Sequence, residues 1–288
     1  MLRVDPDLER IAMKLSSADL RVAADDDDDQ DLFSARTSPV FVDAYSESGL
    51  KRAFVEYGVV DDLNARGLRD HHLKITREDG FHHRLEILLD DGSRVMDLRL
   101  HLRERSLLRG KPVAVVGIDW LLMQHPRLSF SPQRPRLPGQ AHPGTGMGRK
   151  VQELLVLLCR RLGRDGLVSV PERFHLSVLY RRIGFVPVLA ADTAGVDAAL
   201  AAADVAGISL TQLAWAVERG FVVDTEGRPW VYAPHTLICP VSSRLQRALH
   251  HDDAKRVAGA AAMTLHVDVD GLRASLANDP VDGVDSVR

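Results

Sequence analysis

The chain has 288 residues, of which 45% are hydrophobic and 27% charged, with a formal net charge of −3. That length and apolar content can bury the core of one large domain or two small ones, and the balanced charge makes no general case for nucleic acid or membrane as a partner. Its two cysteines, Cys159 and Cys239, exclude a disulfide framework and a cysteine-rich zinc site.

The opening "MLRVDPDLER" lacks the apolar stretch of a signal peptide, and no run approaches about 18 apolar residues, so a cytoplasmic protein is expected. Residues 1–38 read as an accessory arm. Asp5-Pro6 starts a helix with Leu8, Ile11 and Leu15 on one side, and "DDDDDQD" from Asp25 reads as a solvated acidic linker. An EF-hand there would need a central glycine and a terminal glutamate that the run does not have. Residues 46–70 suggest one or two short helices. In "HHRLEILLDDGSRVMDLRLHLRE", apolar residues alternate from Leu85 to Leu89 and from Met96 to Leu102 around Asp91-Gly92, the pattern of a β-hairpin. Pro112–Gln124 reads as a further buried strand, with a helical continuation as the alternative for its last residues. Five prolines between Pro126 and Pro143 predict an extended loop with at most one short strand, at Leu128–Phe130.

An amphipathic helix follows, with Val151, Leu154, Leu155, Leu158 and Leu162 on one face and Gly163 as its stop. "GLVSV" (166–170) is a short buried strand, and "PERFHLSVLYRRIGF" a second helix ending at Gly184. Beyond about Ala190 the texture becomes alanine-rich: helical segments, a hairpin over "FVVDTEGRPWVYA", and a further helix over "SRLQRALHHDDAKRVAGAAA". The expected division is an arm (1–38), a principal domain (39–190) and a helical and hairpin extension (191–288).

The stretch with the most chemical content is "QAHPGTGMGRKV", residues 140–151. The first amides of a helix lack intrahelical acceptors and carry the positive end of its dipole, so they can hold a phosphate if no β-carbon obstructs it. Gly144, Gly146 and Gly148 satisfy that condition, and Arg149 and Lys150 add cations. The competing reading is a structural turn. The spacing matches neither a P-loop nor the dinucleotide fingerprint.

Loop, helix, short strand and "SVLYRRIGF" together resemble the core of the GNAT superfamily of N-acyltransferases. Gly144-Thr145-Gly146-Met147-Gly148-Arg149 is similar to the family's G-x-G-x-G-R loop, and Tyr180 with Gly184-Phe185 to its closing signature. The resemblance covers Gln140–Phe185 closely and about Val40–Gln124 loosely. Its Arg/Gln position falls on Pro143. It implies an α/β (α+β) fold with a mixed central sheet flanked by helices; the N-terminal arm and the α/β C-terminal extension beyond about Ala190 lie outside it. It further implies acetyl-CoA or another acyl-CoA as co-substrate, held at its pyrophosphate by the amides of residues 144–149. Tyr180 takes the place of the acid that protonates the departing thiolate, and a small-molecule or protein amine is the acceptor. A non-catalytic CoA-binding or protein-interaction module with the same fold is the alternative.

Glu86, Asp97, His101 and Asp119 are candidate bases, although polar residues on a hairpin ordinarily meet solvent. His71-His72, His82-His83 and His250-His251 read as surface residues, because neighbours on a strand point to opposite faces, and no metal is expected. His175 reads as a packing or helix-surface residue, and Cys159 as a core residue. "SLTQLAWAVERGFVVDTEGRPWVYA" could be a recognition helix with a wing. Its one cation, Arg219 beside Glu218, favours a packing element or a dimer face instead, with Trp215, Trp230 and Tyr232 as anchors and no nucleic-acid partner.

Overall fold

The computed structural model describes residues 4–21, 41–79, 82–108, 111–249 and 263–284. The acidic run from Asp25 and the pair His250-His251 lie outside the described residues. Helices and mostly antiparallel strands make a mixed α/β architecture, four helices and then four strands leading the described chain. Contacts divide it into two compact units, one of residues 1–126 and 144–167, the other of 127–143 and 168–288. Texture along the sequence suggests borders at 38 and 190; spatial contact draws these different ones.

In the first unit, α1 (Pro6–Lys14) starts where Asp5 accepts the Asp7 amide at 2.8 Å and Pro6 occupies a position needing no donor. It is tied to helix α5 (Gly148–Arg161) by an ion pair from Arg160 to Glu9 at 2.7 Å. Helices α2 (Ser17–Arg21), α3 (Glu47–Glu56) and α4 (Val59–Ala65) follow, α3 capped by the Ser46 hydroxyl on the Gly49 amide. Four strands, β1 (His71–Arg77), β2 (His82–Leu89), β3 (Arg94–Leu108) and β4 (Lys111–Met123), make an antiparallel meander.

The β2–β3 hairpin is the one that the alternation predicts, with Gly92 at φ +82° in its turn. Leu85, Ile87, Leu89, Met96, Leu98 and Leu100 are all buried. The opposite face departs from expectation. Glu86, Asp97 and His101 are buried as well, where a solvated face is expected, and His83, expected at the surface, is buried on the leucine side as the register partner of Leu100. Strand β1 was not anticipated either. Helix α5 ends at Arg161 with Leu162 as its C-cap and Gly163 following at φ +62°, as its glycine stop predicts.

Strand β5 (Gly166–Ser169) carries the chain across the border between the units. The second unit has no strand at Leu128–Phe130: the proline-rich segment makes only a single bridge, Ser131 to Arg134. With so few amide donors a ladder cannot propagate. Helix α6 (Phe174–Arg182) precedes β6 (Val186–Pro187), a 3-10 turn at Ala190–Thr193, α7 (Ala194–Ala206) and α8 (Leu210–Glu218). Ser209 and Gln212 form a capping box at the start of α8.

The expected "FVVDTEGRPWVYA" hairpin is only a turn. β7 (Val222–Asp224) makes one bridge to Pro229 and takes its ladder from β9 (Leu265–Val267) instead. Pro229 has no amide to continue the pairing. β8 (Leu237–Pro240) pairs with β6, α9 is helical over 243–249, and α10 (Val269–Asn278) closes the described chain. Phe174, Val196, Leu213, Val222, Leu265 and Leu272 centre this unit's core. Trp215, Trp230 and Tyr232 pack at its rim, half-buried rather than enclosed. The Tyr232 hydroxyl donates to the Pro171 carbonyl at 3.0 Å, and the Trp215 indole to that of Arg136 at 2.8 Å. Arg219, the one cation of the would-be recognition helix, donates to Ser275 and Asp279 in and beside α10.

Candidate functional site

The glycine loop leaves beside the C-terminal end of β4: a β-carbon at Gly144 would sit 3.8 Å from the Met123 carbonyl oxygen. Its residues alternate in burial. Pro143, Thr145 and Met147 are buried, whereas Gly144, Gly146, Gly148 and Arg149 are exposed. The inward side chains anchor the loop, so its outward side is almost bare backbone. Gly146 has φ +77°, a conformation that disfavours any residue with a β-carbon.

The amides are mostly open. The Met147 N–H donates to Thr145 Oγ1 at 3.3 Å, and the Thr145 carbonyl accepts from Arg66 Nε at 2.9 Å. The first amide with a helical acceptor is that of Val151, on the Met147 carbonyl at 3.0 Å. Those of Gly148, Arg149 and Lys150 have no acceptor among the described residues. Three unmatched donors at the positive end of a 14-residue helix, with no β-carbon over them, fit a diphosphate. The two cations contribute less than their sequence position suggests. Arg149 Nε pairs with Glu153 at 2.9 Å, and Lys150 with Asp62. Desolvation of the Asp62 carboxyl works upward on its pKa, but hydrogen bonds from Lys150 and Arg66 outweigh it and hold the group below its ordinary value.

Tyr180 belongs to the second unit, on α6, whereas the six loop residues lie together in the first. It is half-buried, with its ring 4.8 Å from that of buried Phe185. Burial pushes its pKa up, opposed by a hydrogen bond with Ser169. The phenol therefore stays protonated at neutral pH and can act as a proton donor. His175 is buried, and desolvation together with the nearby Arg173 charge lowers its pKa to about 4, the state of a neutral packing residue.

A second cluster escaped the sequence reading. His82, His101 and Asp119 come from three neighbouring strands, and their ligand atoms lie within 4.8 Å of one another. His101 Nδ1 is 2.6 Å from Asp119 Oδ2, His82 Nδ1 is 2.7 Å from Asp79 Oδ2, and the two rings are 5.9 Å apart. His82 is thus no isolated surface residue, and His83 is buried with its Nδ1 accepting the Val42 amide at 3.1 Å. Adjacency along a strand is poor ligand geometry, but adjacency across strands supplies it: His82 and His101 are register partners. A visible signal existed in Gly117, a glycine inside an otherwise apolar strand. A β-carbon there would lie 2.0 Å from the His101 ring, so this glycine gives the imidazole its place. Chemically, a carboxylate-bound imidazole can take a proton, and two imidazoles with a carboxylate can hold a divalent cation.

Gly117→Ala is expected to displace the imidazole and destabilise the protein by about 1–3 kcal/mol, as overpacking does. Urea denaturation checks this, and an unchanged midpoint would show that the ring does not rest on that glycine.

No family model matches the chain, and no curated protein matches its sequence. The chain is similar to solved structures that include acetyltransferases. One is a spermidine N-acetyltransferase chimera from Vibrio cholerae, at 12% identity and a TM-score of 0.28, covering 86% of this chain and 98% of that one. Another is a nourseothricin acetyltransferase, at 15% identity and a TM-score of 0.25, covering 41% of this chain and 70% of that one. A KacTA–DNA complex shares 13% identity at a TM-score of 0.31, covering 68% of this chain and 86% of that one. At these scores the likenesses decide neither activity nor partner, and the expectation of no nucleic-acid partner gains no support from them.

Proposed function

We propose that the protein is an acyl-CoA-dependent acyltransferase acting on an amine. The observation that carries this reading is the bare, outward-facing backbone of Gly144–Arg149 at the entrance of α5, with open amides at Gly148 and Arg149. Those amides hold the diphosphate of CoA. Asp119 lies four residues upstream of Met123 on β4, about 13 Å along a strand, a span an extended thiol arm can bridge. There Asp119, its carboxylate 40% exposed and paired with His101 at 2.6 Å, takes the proton from the attacking amine. Tyr180 protonates the departing thiolate, as the resemblance to the GNAT pattern implies.

One observation favours a second reading, a CoA-binding or interaction module without catalysis: the Tyr180 hydroxyl is already engaged by Ser169 and its ring by Phe185. A single pair of measurements separates the two. Calorimetry is expected to show acetyl-CoA binding equally to the wild type and to Tyr180→Phe. Acetyl transfer to a panel of primary amines should fall about 10²-fold in the variant. Binding without transfer in the wild type selects the module, and no binding at all removes both.

A further inference from the structure

Three features of the polar face of β2–β4 exceed what contact with solvent requires. The first is a bulge. His82 pairs in register with His101, and His101 with Gly117, so the three strands meet on one face at this level. Two positions on, Ile118 pairs with Leu100 and Trp120 with Arg99, which leaves Asp119 as the extra residue without a register partner in β3. A bulge re-aims a side chain, and here the Asp119 carboxylate reaches His101 Nδ1 at 2.6 Å.

The second feature is Gly117, whose missing β-carbon makes the room that the His101 ring fills. That imidazole is therefore seated in the sheet and buried, not loose on its surface. The third is a carboxylate behind the other imidazole. Asp79 Oδ2 lies 2.7 Å from His82 Nδ1, and Asp79 Oδ1 accepts the His82 amide at 2.8 Å. This fixes the ring and leaves Nε2 as its ligand atom. A carboxylate on the far nitrogen is the arrangement that orients metal-bound histidines.

One ligand atom from each of His82, His101 and Asp119 lies within 4.8 Å of the others. Around a tetrahedral zinc with bonds of about 2.0–2.2 Å, ligand atoms stand about 3.4 Å apart, so small side-chain rotations close the set. Asp119 is exposed and His82 half-buried, which lets a cation enter from solvent and keep a water as fourth ligand. Two imidazoles and one carboxylate suit zinc better than magnesium or calcium, which prefer oxygen ligands. Arg103 opposes the cation, with Nη2 at 3.4 Å from His82 Nε2. It is exposed, so its long side chain can turn to water.

We propose that His82, His101 and Asp119 bind a zinc-class divalent cation, with Asp79 as a positioning residue behind His82. The site does not rest on the transferase reading. A cation held by Asp119 would compete there with the proton of the attacking amine.

The test uses the full chain without an affinity tag, stripped by a chelator, with zinc chloride as the probe. Calorimetry is expected to give one zinc per chain, bound at least about tenfold tighter than magnesium or calcium. Zinc should also raise the thermal midpoint of the wild type. His82→Gln and Asp119→Asn, both at positions that meet solvent, should weaken zinc at least about tenfold and keep the metal-free midpoint. Asp79→Asn should weaken it severalfold, again with that midpoint unchanged, and Arg103→Ala, which removes a like charge, should tighten it. Failure of zinc to bind the wild type overturns the proposal. So does equal affinity for zinc and magnesium, or folded His82→Gln and Asp119→Asn proteins that bind zinc undiminished, since the metal would then sit on other side chains.

Discussion

Arg84→Met is expected to destabilise the protein by about 3 kcal/mol at neutral pH, with the loss shrinking as the solution is acidified. The reason lies in a cross-strand pair that ought to repel. Glu86 and Asp97 face each other in the β2–β3 register, and their side chains are only 3% and 2% exposed, so water cannot screen them. Like charges directly opposite one another destabilise a sheet. Arg84 resolves the conflict: its Nε and Nη2 grip Asp97 at 2.9 and 2.8 Å, and Nη2 also reaches Glu86 at 2.9 Å. Arg94 and Arg99 assist at 3.1 and 3.4 Å, but each side chain is 42% exposed, so solvent weakens their contribution.

The pH dependence follows from the same geometry. In the wild type, desolvation works to raise the Asp97 pKa, but hydrogen bonds from Arg84 and Arg99 prevail and hold it below the ordinary carboxylate value of 3.8. A depressed pKa contributes stability that is present above that value and lost as pH falls through the folded one. In the variant, two buried carboxylates share less cation, and one of them gains a raised pKa. That contribution has the opposite sign: it is present at low pH and lost as pH rises. Urea denaturation at about pH 4 and pH 7 should show the gap between the two proteins closing in acid. An equal gap at both values would mean that Arg84 acts only as packing.

That network also marks where reading the sequence reaches its limit. The β2–β3 hairpin was legible because period-two alternation and an Asp-Gly turn are local signals, and helix α5 because its leucines recur at three and four and Gly163 stops it. The glycine loop was legible for the same reason. Residues that meet across strands were not. His82 and His101 stand 19 positions apart along the chain, and only register brings them together. Glu86 and Asp97 looked like ordinary residues of a solvated face, because nothing local says that face is covered. The pairing of β7 with β9 reaches across some 40 residues, whereas the apparent partner beside it fails through a single proline. The fold's local pieces were in the pattern, while the charged and imidazole clusters depend on topology.

Gly148→Asp separates the two meanings of the loop because stability and binding should move in opposite directions. Gly148 is the first residue of α5, and a β-carbon there meets nothing within 4 Å, so the substitution brings no clash. Replacing glycine inside a helix relieves backbone entropy, and a carboxylate in the first turn faces the positive end of the dipole. The folded state should hold its stability or gain about 0.3–1 kcal/mol, read as an unchanged or higher thermal midpoint. The same carboxylate occupies the space in which the open amides of Gly148, Arg149 and Lys150 would meet a diphosphate, and it repels one. Affinity for acetyl-CoA should therefore fall by at least about tenfold, some 1.4 kcal/mol, while Gly148→Ala, which adds no charge, loses much less. A Gly148→Asp protein that is at least as stable and binds acetyl-CoA as well as the wild type would reduce the glycines to a turn. The open amides would then be merely hydrated, and the diphosphate cradle would have to be given up.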